Sequence, residues 1–323
     1  MPVLRFRKLL GGRDWSRTDF PKPKYRHLYL ALLQLLLLSL PARPDALPMW
    51  EIRGATNRIH LLGSIHFLRL GRDSLPPAIL AAYDDADVVV MEIDLDDVDP
   101  VAAQATMQRL ARDPQGRTLD VLIGDRDYQA AVAKARVLGF DLTMLRPFEP
   151  WMAAITITQL QLAQLGFDAD SGVEQQLLTL AARDHKEVRG LESLDEQLSF
   201  MDALPPAAQR AFLMDSLDEA ATMKDEIDDI VTAWKAGDAK SMEDEFLSDL
   251  QEQPDLYRRI VVDRNRNWAG KLGPMTRDRQ DYLVVVGTLH LVGPDSLIRM
   301  LERAGYAPRQ MSSGDDGDVA VEN

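Results

Sequence analysis

Two stretches far apart in this chain carry one frame. "NRIHLLGSIHFLRLGRDSL", residues 57–75, and "DYLVVVGTLHLVGPDSL", residues 281–297, each run apolar strand, Gly, small hydroxyl residue, branched apolar residue, His, two apolar residues, then Gly and Asp-Ser-Leu. Aligned on Gly63 and Gly287, they differ in length only by Arg69 and Leu70. Apolar runs without alternation belong to strands covered on both faces, as in a parallel sheet between helices. The frame therefore asks the first and last thirds of the chain to supply like strands to one sheet. A Gly straight after such a strand permits a sharp turn or a positive φ. The His three residues on then lies just past the strand's carboxyl end, the edge where open α/β sheets bind ligands. Only five histidines occur in 323 residues, and His66 and His290 are expected to converge on one pocket.

The stretch between the frames reads as follows. Trp50–Arg53 and Arg58–Leu62 form a hairpin about "GATN". "DSLPPAILAAYDDAD" is a helix capped by Ser74 with prolines in its first turn, and "DVVVMEIDL" is a buried strand ending in carboxylates. Together with the strand before them they make a right-handed βαβ unit. From about Thr118 to Met275 the pattern is helical: Asp127–Leu138, Trp151–Leu165, Val173–Asp184, an amphipathic array from Pro205 to about Leu250, and Asp255–Leu272 stopped by Gly273 and Pro274. One short strand, "KEVRGLES", interrupts this region and ends at Glu192. The expected class is α/β, with a central mixed, largely parallel sheet built from two related strand–GxxH–helix units and a large helical insertion between them. Residues 48–308 are read as one domain.

Charge is divided unevenly. Residues 1–40 carry eight Lys or Arg against Asp14 and Asp19, a net +6, and end in the apolar run Leu28–Leu40, broken only by Gln34 and Ser39. That run is short for a membrane span and fits the core of a secretory signal. Residues 1–42 are therefore expected to be a signal peptide, or an anchor if uncleaved. The chain is then expected to be exported, periplasmic or secreted, and to meet a membrane only through that segment. With −14 for the whole chain, residues 41–323 carry −20, which argues against nucleic acid as a partner. The lack of cysteine removes disulfides and thiolate metal sites without contradicting export. Residues 312–323, rich in Gly and Asp, are expected to be a disordered acidic tail.

The strand ends supply the chemistry. Glu92 closes the strand of the βαβ unit and Glu192 the short third strand, both on the rim expected for His66 and His290. Two imidazoles and a carboxylate (His66, His290, Glu92) suit a divalent ion such as Mn²⁺, Co²⁺ or Zn²⁺, which lowers the pKa of bound water. Glu192 is a further ligand or base. Arg264, in "YRRIVVDRNRNW", is a candidate to hold a carboxylate or an oxyanion. His27, His60 and His185 are read as structural or incidental. The run Asp94–Asp99 lacks the Gly and distal Glu of a calcium loop and reads as acidic surface. Met201, Met214 and Met223 fall at helical spacing and read as core.

The paired "GSIH" and "GTLH", with a Glu following the apolar strand in "VVVMEID", resemble the TraB/GumN family. That family is related to the Tiki proteases, membrane-associated metalloproteases that clip Wnt proteins. Residues 171–197 and 264–272 are also family-like, so the resemblance spans roughly residues 50–305. It implies an α/β fold with a metal-dependent, hydrolase-type site. In that site His66 and His290 are the paired histidines, Glu92 the acidic residue and Arg264 the family's arginine. Glu174 departs from the Asp that many relatives carry in "GVD". The expected function is an exported divalent-metal-dependent hydrolase, with peptidase the leading reaction on a peptide or protein substrate. Similar folds also serve haem binding and esterase chemistry, so the alternatives are a non-catalytic haem- or metal-binding module and an accessory protein of polysaccharide export.

Overall fold

Strands β1 (Ala46–Arg53) and β2 (Arg58–Ser64) form the expected hairpin, with Trp50 opposite Leu61 and Arg53 opposite Arg58. The computed structural model describes residues 46–69, 71–94 and 98–312. The leader, His27, Leu95–Asp97 of the aspartate run and the tail beyond Ser312 lie outside the described residues. The Asn57 amide ties the hairpin turn to the far end of the chain, donating to the carbonyls of Met275 at 2.9 Å and Gln280 at 2.7 Å.

The remaining strands are β3 (Leu68–Arg69), β4 (Val88–Ile93), β5 (Phe167–Asp168), β6 (Glu187–Glu192), β7 (Tyr282–Gly287) and β8 (Arg309–Ser312). Six of them make a mixed sheet in the order β6-β4-β7-β2-β1-β8, and β3 pairs with β5 in a separate two-stranded ribbon. β6, β4, β7 and β2 run parallel, while β1 is antiparallel to both β2 and β8. The chain thus leaves β4 for the edge, makes its helical insertion, and returns to lay β7 between β2 and β4.

All six residues of β7, "YLVVVG", are buried because both faces are covered. Met49, Leu62, Val89, Met91, Leu283 and Val285 face α1 (Pro77–Asp85) and later helices, in a cluster that includes Ile79, Tyr83, Leu177 and Trp234. On the other face Trp50, Ile59, Leu61, Val88, Val284 and Val286 meet Trp268, Leu272, Leu297 and Leu301. Burying each such Leu or Val contributes about 1.5–3 kcal/mol, so the two faces hold the sheet between helices.

About twelve α-helices lie among the described residues. After α1 come α2 (Pro100–Leu110), α3 (Leu119–Ile123), α4 (Asp125–Val137), α5 (Pro150–Gln164), α6 (Val173–Asp184), α7 (Leu194–Asp202), α8 (Pro206–Lys235), α9 (Ala239–Gln251), α10 (Pro254–Tyr257), α11 (Arg264–Met275) and α12 (Leu297–Arg303). Several expected helix boundaries differ. Ser74 does not cap α1: Pro76 holds the N-cap position, with no side-chain cap bond and a proline in the first turn, so fixed proline φ starts this helix. The array from Pro205 breaks at Gly237, whose φ of +58° ends α8 where the chain comes against the backbone of Ala46 and Leu47. Gly273 and Pro274 do not stop the last long helix. Pro274 lies inside its final turn, and the helix runs to Met275 before it ends. That stretch also does not begin as one α-helix, because Arg258–Asp263 between α10 and α11 form a π-helical turn. Of the three methionines, Met201 is buried, and Met214 and Met223 pack against core clusters.

Candidate functional site

The two GxxH frames end side by side. β2 and β7 pair in parallel, with Gly63 opposite Val286 and Ser64 opposite Gly287, so the frames are offset by one residue. Neither Gly takes a positive φ, contrary to one of the roles expected for them. Both serve close approach instead. A Cβ on Gly63 would lie 2.9 Å from the Thr288 hydroxyl and 3.3 Å from the Pro48 carbonyl. A Cβ on Gly287 would lie 3.4 Å from Oε1 of Glu92, 3.7 Å from Cδ2 of His290 and 3.8 Å from Nε2 of His66. Three side chains singled out in the sequence therefore meet over one α-carbon.

Past that point the frames diverge. β2 runs on to Ser64 and leaves His66 on the rim with 59% of its side chain exposed, whereas β7 bends into a 3-10 turn, Thr288–His290, that buries His290 to 1%. The Thr288 hydroxyl donates to the Ser64 carbonyl at 2.8 Å and joins the two turns. Trp234 of α8 supports the first, its indole N–H donating to the Gly63 carbonyl at 2.7 Å.

His66 is held by a residue from the insertion. Its Nδ1 lies 2.7 Å from Oε1 of Glu174, which projects from the first turn of α6 and also accepts the Ser64 hydroxyl. Gly172 makes this possible, because any side chain there would collide with the His66 carbonyl. The Val173 N–H donates to the Ile65 carbonyl at 3.1 Å and fixes the approach. Glu174 raises the His66 pKa to about 9, against the opposing effect of burial. Water in the cleft screens part of this attraction. Burial is the largest single influence and acts to raise Glu174, but His66, the Ser64 hydroxyl and a backbone N–H together bring the carboxyl below its usual range.

The other four candidates form one buried cluster around Arg264. Its Nη2 donates to Oε2 of Glu92 and, at 2.6 Å, to Oε1 of Glu192, while Nε lies 3.1 Å from the same Glu192 oxygen. Nη1 is 3.1 Å from Nε2 of His290, and the guanidinium stacks 4.6 Å from the Trp268 ring centre. The Trp268 indole N–H donates to Oε2 of Glu192 at 3.2 Å. Glu92 is bound on both oxygens: Gly287 N–H at 2.8 Å on Oε1, and the Gln197 amide at 3.0 Å with Arg264 on Oε2. Burial acts to raise its pKa, yet Arg264 leads the influences that bring it down to about 2. Glu192, by contrast, is raised by burial against the pull of Arg264.

Asn265, fully buried, sets the state of His290. Its amide NH₂ donates to the carbonyls of Asp295 at 2.9 Å and His290 at 3.3 Å, so its oxygen faces Nδ1 of His290 at 2.8 Å. Nδ1 carries the hydrogen, and Nε2 presents its lone pair to Arg264. Burial lowers this imidazole to about 3, so it is neutral. The π-helical turn ends just before Arg264, and Arg264, Asn265 and Trp268, which share one face of α11, are all buried.

The pattern of the TraB/PrgY/gumN family matches residues 48–310, most of the chain and every residue of the site just described. The chain belongs to the TraB/PrgY/gumN family. It is 27% identical over 255 residues to the uncharacterized protein YbaP of Escherichia coli (strain K12), covering 79% of this chain and 92% of that one. An uncharacterized protein of Treponema pallidum (strain Nichols) is 21% identical over 269 residues, covering 79% and 80%. No solved structure matches. The family-like segments beyond the GxxH frames now have places: 171–197 carries Gly172, Glu174, Glu192 and Gln197, and 264–272 carries Arg264, Asn265 and Trp268.

Glu174, Ser64, Gln197, Asn265 and Trp268 were not among the expected site residues. Trp268 was within reach of sequence reasoning, since it lies four residues after Arg264 and so on the same helix face. His60 lies away from this cluster, buried opposite Glu51 on β1. His185 caps α6 in a left-handed conformation, φ 55°. Asp99 caps α2.

An ion would need lone pairs from His66, His290 and Glu92, and this arrangement gives it few. His290 Nε2 and Glu92 Oε2 face a guanidinium, Glu92 Oε1 accepts a backbone N–H, and only His66 Nε2 is turned to the cleft without a hydrogen bond. Among the described residues no three His, Cys, Asp or Glu side chains are grouped to hold a metal. The residues in this arrangement do not fit a divalent ion.

Proposed function

We propose that this cleft is a hydrolase-type centre in which His66, oriented by Glu174, moves the proton. The supporting observation is the His66–Glu174 pair: an imidazole on an open rim, one nitrogen fixed 2.7 Å from a carboxylate and the other turned towards Glu92 and Gly287. A carboxylate behind a histidine fixes its tautomer and stabilises the imidazolium formed when the ring takes a proton. His66 is charged below about pH 9. In its neutral form it takes a proton from water as the water attacks an acyl carbon, and returns it to the leaving group, so the rate should climb as pH rises towards about 9. Arg264, Glu92 and Glu192, with the neutral His290, form the fixed polar wall behind the reacting atoms. The substrate class is an acyl compound, with a peptide or protein the leading candidate because of the Tiki resemblance. The proton transfer calls on no metal: of the ligand set expected from the sequence, His290 and Glu92 are engaged by Arg264, and His66 Nδ1 by Glu174. Export rests on the leader sequence; no helix among the described residues is long and apolar enough to cross a membrane.

The test is a panel of chromogenic esters and peptides offered to the full chain, with and without chelator. Replacing His66 with Gln should lower kcat by roughly 10²–10⁴-fold, Glu174→Gln by less, and chelator should leave the parent rate unchanged. Equal rates in parent and His66→Gln would refute the proton-transfer role. Loss of activity on chelation, restored by Mn²⁺ alone, would replace this reading with the divalent-metal-dependent one.

A further inference from the structure

We infer that Arg264 occupies the place of a divalent cation, and that this site accepts one cation at a time: its own guanidinium, or an ion once that guanidinium is gone. The inference goes beyond the proton-transfer reading and is tested by binding alone.

Three donors that chemistry would offer to an ion all point at one side chain. Glu92 gives Oε2, Glu192 gives a side-on pair of contacts through Nε and Nη2, and His290 gives the Nε2 lone pair that Asn265 directs there. The arginine is 6% exposed, and the Glu92 and Glu192 side chains are 10% and 6% exposed, so the cluster is closed to bulk water. Two buried carboxylates facing a neutral imidazole require a positive partner. A planar guanidinium stacked on Trp268 supplies it with directional hydrogen bonds. A second cation among the same oxygens would be repelled by the first. Around the guanidinium these donors are not grouped to hold an ion. With Arg264 removed, Glu92, Glu192 and Nε2 of His290 have to close inward to make a two-carboxylate, one-imidazole set, of the kind that suits Mn²⁺, Co²⁺ or Zn²⁺. In this arrangement Glu192 faces inward beside Glu92, and His66 stays with Glu174 outside the set.

The experiment titrates the full-length parent and Arg264→Ala with Co²⁺, reading visible absorption and thermal melting. The parent should show no saturable cobalt band and no shift in melting temperature. Arg264→Ala should show a band saturating at one equivalent and a raised melting temperature, by mass action on the folded state. Adding Glu92→Gln should abolish both. A parent that binds one cobalt, with the band lost in His290→Gln, would overturn the inference, as would a folded Arg264→Ala that binds none. Should Arg264→Ala fail to fold without ions, Arg264→Ala/Glu192→Gln carries one buried charge fewer and takes its place. Recovery of helical circular dichroism on adding Co²⁺ supports the inference, and its failure in both backgrounds counts against it.

Discussion

Asn265 decides which nitrogen of His290 carries the hydrogen, and it does so from a fully buried position. Replacing it with Ala leaves Nδ1–H and the Asp295 carbonyl without their partner. We expect a loss of about 1–3 kcal/mol, measured by urea denaturation; an unchanged midpoint would mean that solvent reaches this amide. His66 gives a pH dependence. Its ordinary value is 6.5 and Glu174 raises it to about 9 in the folded chain, so the folded state binds the proton more tightly than the unfolded one. The resulting stabilisation is full below 6.5 and is lost as pH rises through about 9. Melting temperatures should fall across that window in the parent and fall less in Glu174→Gln, with an identical decline in both excluding this pair as its source. His66, His290, Glu92, Glu192 and Arg264 were legible because each sits in a motif or at a strand end. Asn265, Glu174 and Gln197 were not, because each acts through a partner on another element, 25, 108 or 105 residues away in sequence.

At the scale of elements, the start of α6 carries the His66 loop. Gly172→Ala should displace the His66 backbone, at an overpacking cost of about 1–3 kcal/mol, and should lower turnover more than it lowers thermal stability. An Ala there that alters neither would mean that the loop gives way freely. Gly270 in α11 is the contrasting case: exposed, helical and with open space where a Cβ would go. Gly270→Ala should stabilise by about 0.5–1 kcal/mol, seen as a higher denaturation midpoint. β4 and β7 were legible because each is a continuous apolar run between polar ends, whereas the short β3, β5 and β8 were not expected from the sequence. The helix breaks were harder to read. Gly237 ends a helix because the chain meets β1, whereas Gly273, equally a glycine, lies within α11. A local pattern does not tell these cases apart, since the difference lies in what packs nearby. The π-helical turn at Arg258–Asp263 likewise left no pattern that was recognised.

On the scale of the whole molecule, the two GxxH frames, more than two hundred residues apart in sequence, end on neighbouring strands, and the helical insertion supplies Glu174, Glu192 and Arg264 from the side. The sheet order follows less directly from sequence, since nothing local says that β7 slots between β2 and β4 instead of adding at an edge. That placement makes β7 a keystone. A chain stopped before Tyr282 should give no cooperative unfolding transition, and a fragment that melts sharply would show that the remaining strands close on each other. The same placement sets a timetable for synthesis. Until the segment around Val284 leaves the ribosome, β2 and β4 each hold out a row of unpaired backbone groups, open to a chaperone or to the wrong strand. The rim that carries His66 and His290 is therefore among the last parts of the molecule to exist, and no shorter nascent chain can possess it.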